Sequence, residues 1–404
     1  MSAFLARQPI FDVKLNVIGY ELLYRSSEKS AAYDGSDPDM ASMETIMHGL
    51  DDGIKTLTDN RLAFINFTET LLLNEAAIIL PRSHLVVEIL EGILPVKDVV
   101  KACRKLKKQG YMLSLDDFVF SEEYRPFLEL VDIVKIDFLN RKEEEIKKDV
   151  KLLSEYGNIR LLAEKVETQE IFSVSKEMGF TLFQGYFFSK PVIMERKSIQ
   201  PVQINQLQMM RCAMDPLVDY KKLAAIIKND TVLSYRILRL VNSAYYGMKY
   251  NIKSIHHALA ILGLNSIKKY VTLFAVNTMK EEKPEELMRI SLIRGHFLES
   301  LAPIIRNKKA KEDLFLLGLF SLIDVMSDTP MEEIVEKTKM PEKVAQALTT
   351  GSGKYAELLS IIKNYEKGNW ADAIDTASEN NISPKELYKL YMEAVLWAAD
   401  ILRY

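Results

Sequence analysis

The chain has 404 residues, 48% hydrophobic and 27% charged, with a formal net charge of −3. That length can bury two or three cores. The near balance of charge argues against wholesale electrostatic binding to a nucleic-acid polymer. Only two cysteines are present, Cys103 and Cys212, so neither a disulfide framework nor a Cys-based metal site is readable. The opening residues lack the apolar run of a signal peptide. The greasiest segment, Leu314 to Met326, is too short for a membrane span and contains Asp324. A cytoplasmic protein without a membrane span is expected.

Residues 1–195 alternate strand-like and helix-like runs. Phe4 to Gln8 and Asn16 to Leu23 are close enough to form a hairpin. A polar loop, Ser26 to Asp39, precedes a helix over 40–57, with Met43, Ile46, Met47, Leu50 and Ile54 at helical spacing. Strands follow at Leu62–Asn66, Leu85–Glu88, Met112–Asp116, Ile133–Asp137, Arg160–Glu164 and Phe180–Gln184. Helices lie between them, notably about 96–109, stopped by Gly110, and a charged one about 142–155. Apolar strands separated by helices mean a parallel sheet covered on both faces. About eight such units in under 200 residues predict an α/β fold, a compact (β/α)8 TIM-like barrel.

Such barrels place chemistry at the C-terminal ends of their strands. One polar residue read from each strand end gives Gln8, Glu21, Asn66, Glu88, Asp116, Lys135, Glu164 and Gln184. Asp116 is followed by Asp117, and adjacent carboxylates repel unless a cation is supplied. A solvated turn would also explain that pair taken alone. The whole set, four carboxylates, three amides and a lysine, suits two hard metal ions held by oxygen, with the lysine managing charge on an oxyanion.

At these residues the chain resembles the EAL domain, the family that hydrolyses the bacterial second messenger cyclic di-GMP. The motifs stand as Gln8-Pro9, Gly19-Tyr20-Glu21-Leu22-Leu23-Tyr24-Arg25, Asn66-Phe67-Thr68 and Glu88-Ile89-Leu90-Glu91. They continue as Asp116-Asp117-Phe118, Lys135-Ile136-Asp137, Ala163-Glu164-Lys165-Val166-Glu167 and Gln184-Gly185-Tyr186. The resemblance implies one divalent metal on Glu21, Asn66, Glu88 and Asp116, and a second near Asp116, Asp117 and Glu164. It implies Lys135 against the attacking water and phosphate, with Lys135, Glu164 and Glu21 as the catalytic set. Gln8, Arg25, Asp137 and Gln184 would meet substrate, and Glu91 would anchor the loop after the paired aspartates. Two Mg²⁺ or Mn²⁺ ions fit the all-oxygen donors. The expected product is the linear dinucleotide.

Three departures from the family pattern stand out. Leu22 replaces alanine in the name-motif and Lys165 replaces a glycine. The loop Val119-Phe120-Ser121-Glu122-Glu123-Tyr124-Arg125-Pro126 has no glycine where the family has a Gly-rich one, and Val and Phe lack that conformational range. Two readings therefore stand. One is a cyclic di-GMP phosphodiesterase. The other is a catalytically silent cyclic di-GMP-binding or scaffold protein.

Beyond a linker at Pro191–Pro201 helical periodicity takes over. Helices are expected at Ile255–Leu262, about 266–280, 285–306, 311–326, 331–348 and 355–366, and near the C-terminus, with Asp230 as a cap. Asn229-Asp230-Thr231-Val232-Leu233, Arg239 to Ala244 and Ser254 to Gly263 are similar to the HDOD domain, an all-helical relative of the HD hydrolases. The expected domains are 1–195 (EAL barrel) and 196–404 (HDOD). The position of the HD metal dyad reads Gly318-Leu319-Phe320-Ser321-Leu322-Ile323. His256, His257 and His296 are expected to serve packing or surface roles. The resemblance implies a regulatory module that engages an unidentified protein partner, and is compatible with a homodimer.

Overall fold

A computed structural model describes residues 3–26, 53–189, 209–215, 218, 220–242, 252, 254–279, 283–338 and 340–402. The expected loop beyond Ser26, most of the helix at 40–57 and the linker Pro191–Pro201 lie outside the described residues. Two compact units are present: Met1–Lys190 with Ile361–Met392, and Pro191–Ser360 with Glu393–Tyr404.

In the first unit eight strands close into a barrel in chain order. They are β1 (Ala3–Asp12), β2 (Val17–Ser26), β3 (Leu62–Phe67), β4 (Leu85–Ile89), β5 (Met112–Leu115), β6 (Ile133–Asp137), β7 (Arg160–Glu164) and β8 (Leu182–Gln184). Strands β2 to β8 are parallel, whereas β1 runs antiparallel to both β2 and β8. The reason is local. Residues 13–16 alone separate β1 from β2, too few for a crossover. Asp12 ties this turn, its Oδ1 accepting from Lys14 N at 2.8 Å and Asn16 N at 2.9 Å. Because β1 is reversed, its first residues pair with the last of β2, and Ala3 faces Ser26.

Side-chain alternation along the strands sets the interior. One apolar layer contains Ile10, Phe64, Val86, Ile133, Leu162 and Leu182, with Met112 packed against it. Two residues further along each parallel strand stand Asn66, Glu88, Lys135, Glu164, Gln184 and, after Met112, Ser114. On reversed β1 the same step is backwards, from Ile10 to Gln8. On β2 the inner residue beneath Glu21 is Gly19, where a Cβ would lie 2.7 Å from Leu62 O and 2.9 Å from the Phe64 ring. The polar ring is thus the layer above a filled apolar plug.

The barrel helices are α1 (Gly53–Leu57), α2 (Glu69–Leu73), α3 (Lys97–Lys108), α4 (Arg125–Leu128), α5 (Glu143–Leu153) and α6 (Gln169–Glu177). Helix α3 buries Val99, Ala102, Cys103 and Leu106, while Val100 is only half-buried. Lys147 pairs with Glu143 one turn earlier at 2.5 Å, as the charged face of α5 predicts. The C-terminal segment of this unit packs on the β1–β2 hairpin. Tyr365 donates its hydroxyl to Leu5 O at 3.2 Å, Tyr186 donates to Glu366 O at 2.8 Å, and Trp370 meets Tyr365 edge-on at 5.0 Å.

The second unit is helical. It contains α7 (Tyr220–Asn229), α8 (Thr231–Val241), α9 (Ile255–Met279), α10 (Glu285–Leu301), α11 (Lys311–Phe320), α12 (Ile323–Ser327), α13 (Met331–Thr338) and α14 (Glu342–Thr350). Helix α15 (Lys354–Glu366) begins in it, and α17 (Pro384–Leu402) ends in it after α16 (Trp370–Glu379). Asp230 caps α8, its Oδ1 accepting from Leu233 N at 2.9 Å. The helix expected over 311–326 is broken at Ser321-Leu322, and that over 331–348 restarts after Pro341, whose ring cannot continue a helix. Helices α10 and α11 cross closely at Gly318, where a Cβ would lie 2.3 Å from the Arg294 and Gly295 backbone. Among the described residues one helix, His257–Val276, is long and apolar enough to cross a membrane. Half of that stretch is buried within the fold, and Gly263 at φ 76° kinks it.

Candidate active site

Lys135 lies at the centre of the barrel mouth with its side chain fully buried. Its Nζ is 2.7 Å from Asp116, 2.9 Å from Glu88, 2.9 Å from Glu164 and 3.3 Å from Glu21. Gln184 completes the ring, donating to Glu21 at 2.7 Å and to Gln8 at 3.0 Å. Seven of the eight expected residues converge here: Gln8 and Glu21 from the middle of β1 and β2 rather than their ends, Glu88, Lys135, Glu164 and Gln184 from β4, β6, β7 and β8, and Asp116 from just after β5. Asn66 is the expected member with no such link, and its Oδ1 is a buried acceptor without a hydrogen bond among the described residues.

Burial pushes the Glu88 carboxyl well above the ordinary range; Lys135 opposes this and Glu21 and Asp116 add to it. Glu164 is pushed up to about 8, by burial first. Burial alone would lower Lys135, but Asp116, Glu164, Glu21 and Glu88 overcome it, so the ammonium stays charged well above the ordinary lysine range. One cation among four carboxylates leaves negative charge unbalanced. Both Glu88 oxygens, Asp116 Oδ1, Glu164 Oε2 and Gln184 Oε1 accept no hydrogen bond among the described residues, although the first three residues also touch the ammonium at ion-pair distance. Among the described residues no three His, Cys, Asp or Glu are gathered as a metal shell. The ammonium is the cation those carboxylates share here. Unsatisfied hard oxygen acceptors in a buried ring are the donor set that Mg²⁺, Mn²⁺ or Ca²⁺ takes.

The paired aspartates diverge because of their backbone. Asp116 N donates to Ile89 O at 3.0 Å and Phe118 N to Lys135 O at 2.9 Å. Between these anchors Asp117 is left-handed, φ 40°, and its side chain is exposed while Asp116 faces the ring. Lys165 is also left-handed, φ 53°, a conformation that favours the glycine it replaces. Its Nζ is 2.6 Å from Asp137 and 3.9 Å from Asp117.

Asp137, expected to meet substrate, has its oxygens engaged by the protein. They accept from Leu139 N at 2.6 Å, Asn140 Nδ2 at 2.8 Å and Lys165. Glu91, expected as a loop anchor, takes part through its main chain, its carbonyl accepting from Tyr124 OH at 3.0 Å. Arg25 is in β2, and its side chain lies outside the described ones. Gly185 is irreplaceable at the last strand end, since a Cβ there would lie 2.1 Å from Val166 O. Ser114 was missed by reading strand ends alone. It sits in the ring layer with a buried Oγ that has no hydrogen-bond partner among the described residues, and two-residue alternation back from Asp116 finds it.

In the helical unit, His296 stacks on Trp397 at 4.7 Å, with Lys269 Nζ 3.9 Å from the Phe315 ring and 4.7 Å from that of Trp397. Lys269 also pairs with Glu299. His257 is exposed, and the His256 side chain lies outside the described ones.

The EAL domain family matches residues 52–191 and the HDOD domain family residues 200–347. The chain belongs to the EAL–HDOD proteins. It is 35% identical to Cyclic di-GMP phosphodiesterase CdgJ of Vibrio cholerae over all of this chain and 94% of that protein. It is 35% identical to Uncharacterized protein YuxH of Bacillus subtilis over all of this chain and 99% of that protein. The solved Bacillus subtilis YkuI protein, with an EAL domain in complex with substrate c-di-GMP and calcium, is 19% identical, covers 65% of this chain and 71% of its own, and has a TM-score of 0.39. The EAL match begins after Gln8, Glu21 and Arg25. Strand pairing, with Gln8 opposite Glu21, is what brings the first two into the ring.

Proposed function

We propose that the barrel hydrolyses cyclic di-GMP to the linear dinucleotide with divalent cations. The observation that carries this is the ring of buried oxygens around Lys135, of which Asn66 Oδ1, Glu88 Oε2, Glu164 Oε2 and Gln184 Oε1 accept no hydrogen bond among the described residues. Glu21, Asn66, Glu88 and Asp116 would hold one cation, and Asp116, Asp117 and Glu164 a second. Mg²⁺ or Mn²⁺ suits the all-oxygen donors. Bound cations supply Lewis-acid activation of water and charge on the leaving oxygen. Lys135, held protonated by its four neighbours, offers fixed positive charge to a phosphoryl oxygen. Gln184 and Gln8 hold Glu21 in one orientation through their linked amides. Arg25 is the residue assigned to a substrate phosphate.

CdgJ, alike over its full length, bears the name of this activity, which supports the reading. The HDOD portion acts as a regulatory partner-binding module, and the protein works in the cytoplasm, as a homodimer or through that partner. The test is incubation of the full chain with cyclic di-GMP and Mg²⁺ or Mn²⁺, followed by nucleotide separation. Linear product is expected, and Glu21→Ala or Asp116→Ala abolishes it. Absence of product at high protein concentration with metal bound overturns the proposal. The sensor reading rests on one observation, the Lys165 cation beside Asp117. Tight nucleotide binding without turnover favours it.

A further inference from the structure

The glycine-free loop after Asp117 is held by an ion pair between Arg141, in the loop after β6, and Asp149 on α5. Asp149 lies on the buried face of α5 with Ile146 and Leu153, an isolated carboxylate in an apolar stripe. A buried carboxylate there needs a partner. It has two: Arg141 Nη2 at 2.8 Å and the main-chain N of Phe120 at 3.2 Å. Arg141 also donates through Nη1 to Phe118 O at 3.2 Å. Both side chains are largely covered, 13% and 8% exposed. The pair therefore grips the two residues on either side of Val119, directly after left-handed Asp117. Phe118 meets Phe120 and Tyr124 edge-on at 6.4 and 5.9 Å, and Tyr124 reaches Glu91 O, so the far end is closed as well.

We propose that Arg141 and Asp149 are positioning residues that fix the Asp116–Asp117 turn for divalent-cation binding, replacing the conformational role of a glycine-rich loop with a buried ionic clamp. The proposal rests on the metal-dependent reading above. A glycine loop reaches a left-handed turn through its own freedom, whereas here the turn is imposed from outside by three hydrogen bonds to the two anchored residues. Partners that orient metal ligands typically change metal affinity 10–100-fold when removed.

The test uses the full chain and two variants, Arg141→Met and Asp149→Asn, checked by circular dichroism for folding. Mn²⁺ binding is read from the electron paramagnetic resonance signal of free Mn²⁺, and loop exposure from amide hydrogen exchange over 118–126. We expect roughly 10-fold weaker Mn²⁺ binding and faster exchange in both variants. We also expect that in an Asp117→Asn background the further change has little effect on Mn²⁺, because the clamp acts through that turn. Unchanged Mn²⁺ affinity in folded variants, or full additivity with Asp117→Asn, overturns the proposal. If Arg141→Met does not fold, Arg141→Lys keeps a charge near Asp149 but cannot grip both sites, and the same readouts apply. Should the unaltered chain bind no Mn²⁺, the metal-dependent reading fails by itself. Exchange over 118–126 then judges the clamp alone, and unaltered exchange in Asp149→Asn rejects it.

Discussion

Replacing Lys135 with methionine tests the electrostatics of the site most directly. The change keeps the length and apolar stem but removes the ammonium that lies 2.7–3.3 Å from four carboxylates. Breaking a buried ion pair by removing one partner costs about 3–5 kcal/mol. For a unit of this size each kcal/mol moves the melting temperature by about 2–4 °C, so a drop of about 6–20 °C is expected in EDTA. Proton uptake by the carboxylates, already favoured at Glu88 and Glu164, places the result toward the lower end at neutral pH. A divalent cation bound in the ring restores the missing charge, so Mn²⁺ should recover much of the loss. Differential scanning calorimetry of the full chain in EDTA and in Mn²⁺, with and without the substitution, measures this. An unchanged melting temperature in EDTA refutes the idea that the ammonium holds the ring together. An equal loss with and without Mn²⁺ refutes the idea that a cation takes its place.

Two further predictions concern single residues. Lys165→Gly removes a left-handed residue that costs about 1–2 kcal/mol, and loses a partly exposed ion pair to Asp137 worth about 0–1 kcal/mol. Stability should hold or rise, by up to about 2 kcal/mol, while freeing Asp117 lowers the Mn²⁺ concentration for half-maximal turnover several-fold; a higher requirement contradicts this. His296 is pushed down to about 4, first by burial and then by the Lys269 cation, with Lys311 adding to that and Glu299 opposing it. Its folded value lies below its unfolded one, so the neutral form is what the fold holds. Stability is full above about pH 6.5 and falls by about 3 kcal/mol as pH drops toward about 4. Urea midpoints against pH should show this slope in the parent and a flatter one in His296→Gln.

Much of the site was legible because strand alternation and strand ends obey simple rules. Gln8, Asn66, Glu88, Lys135, Glu164 and Gln184 each sit two places from a member of the apolar plug, so the same periodicity that predicts the strand predicts most of the site. The hairpin at the start was legible from the short spacing between its runs. What could not be read were effects of distant chain. Left-handed Asp117 is flanked by anchors to β4, β6 and the loop after β6, and left-handed Lys165 by Phe138 N on Glu164 O and Val166 N on Gln184 O, none of which is local in sequence. Asp149 reads as one more charge on a charged helix until its burial beside Ile146 and Leu153 is known. The breaks at Ser321-Leu322 and Pro341 divided two expected helices, the second at a proline that periodicity alone passes over. The grouping of Ile361–Met392 with the barrel has no signature in either segment, since both are ordinary apolar surfaces until they meet.

That last grouping bears on how the protein is made. Leu5 is synthesised 360 residues before Tyr365, whose hydroxyl meets its carbonyl. At about 5–20 residues per second, roughly 20–70 s pass before that partner is synthesised. During this interval the hairpin that carries Gln8 and Glu21 lacks the segment 361–392 that later packs on it. Completion of the barrel unit is therefore a late event in biosynthesis, and a ribosome stalled before residue 361 would hold all eight strands without their final support.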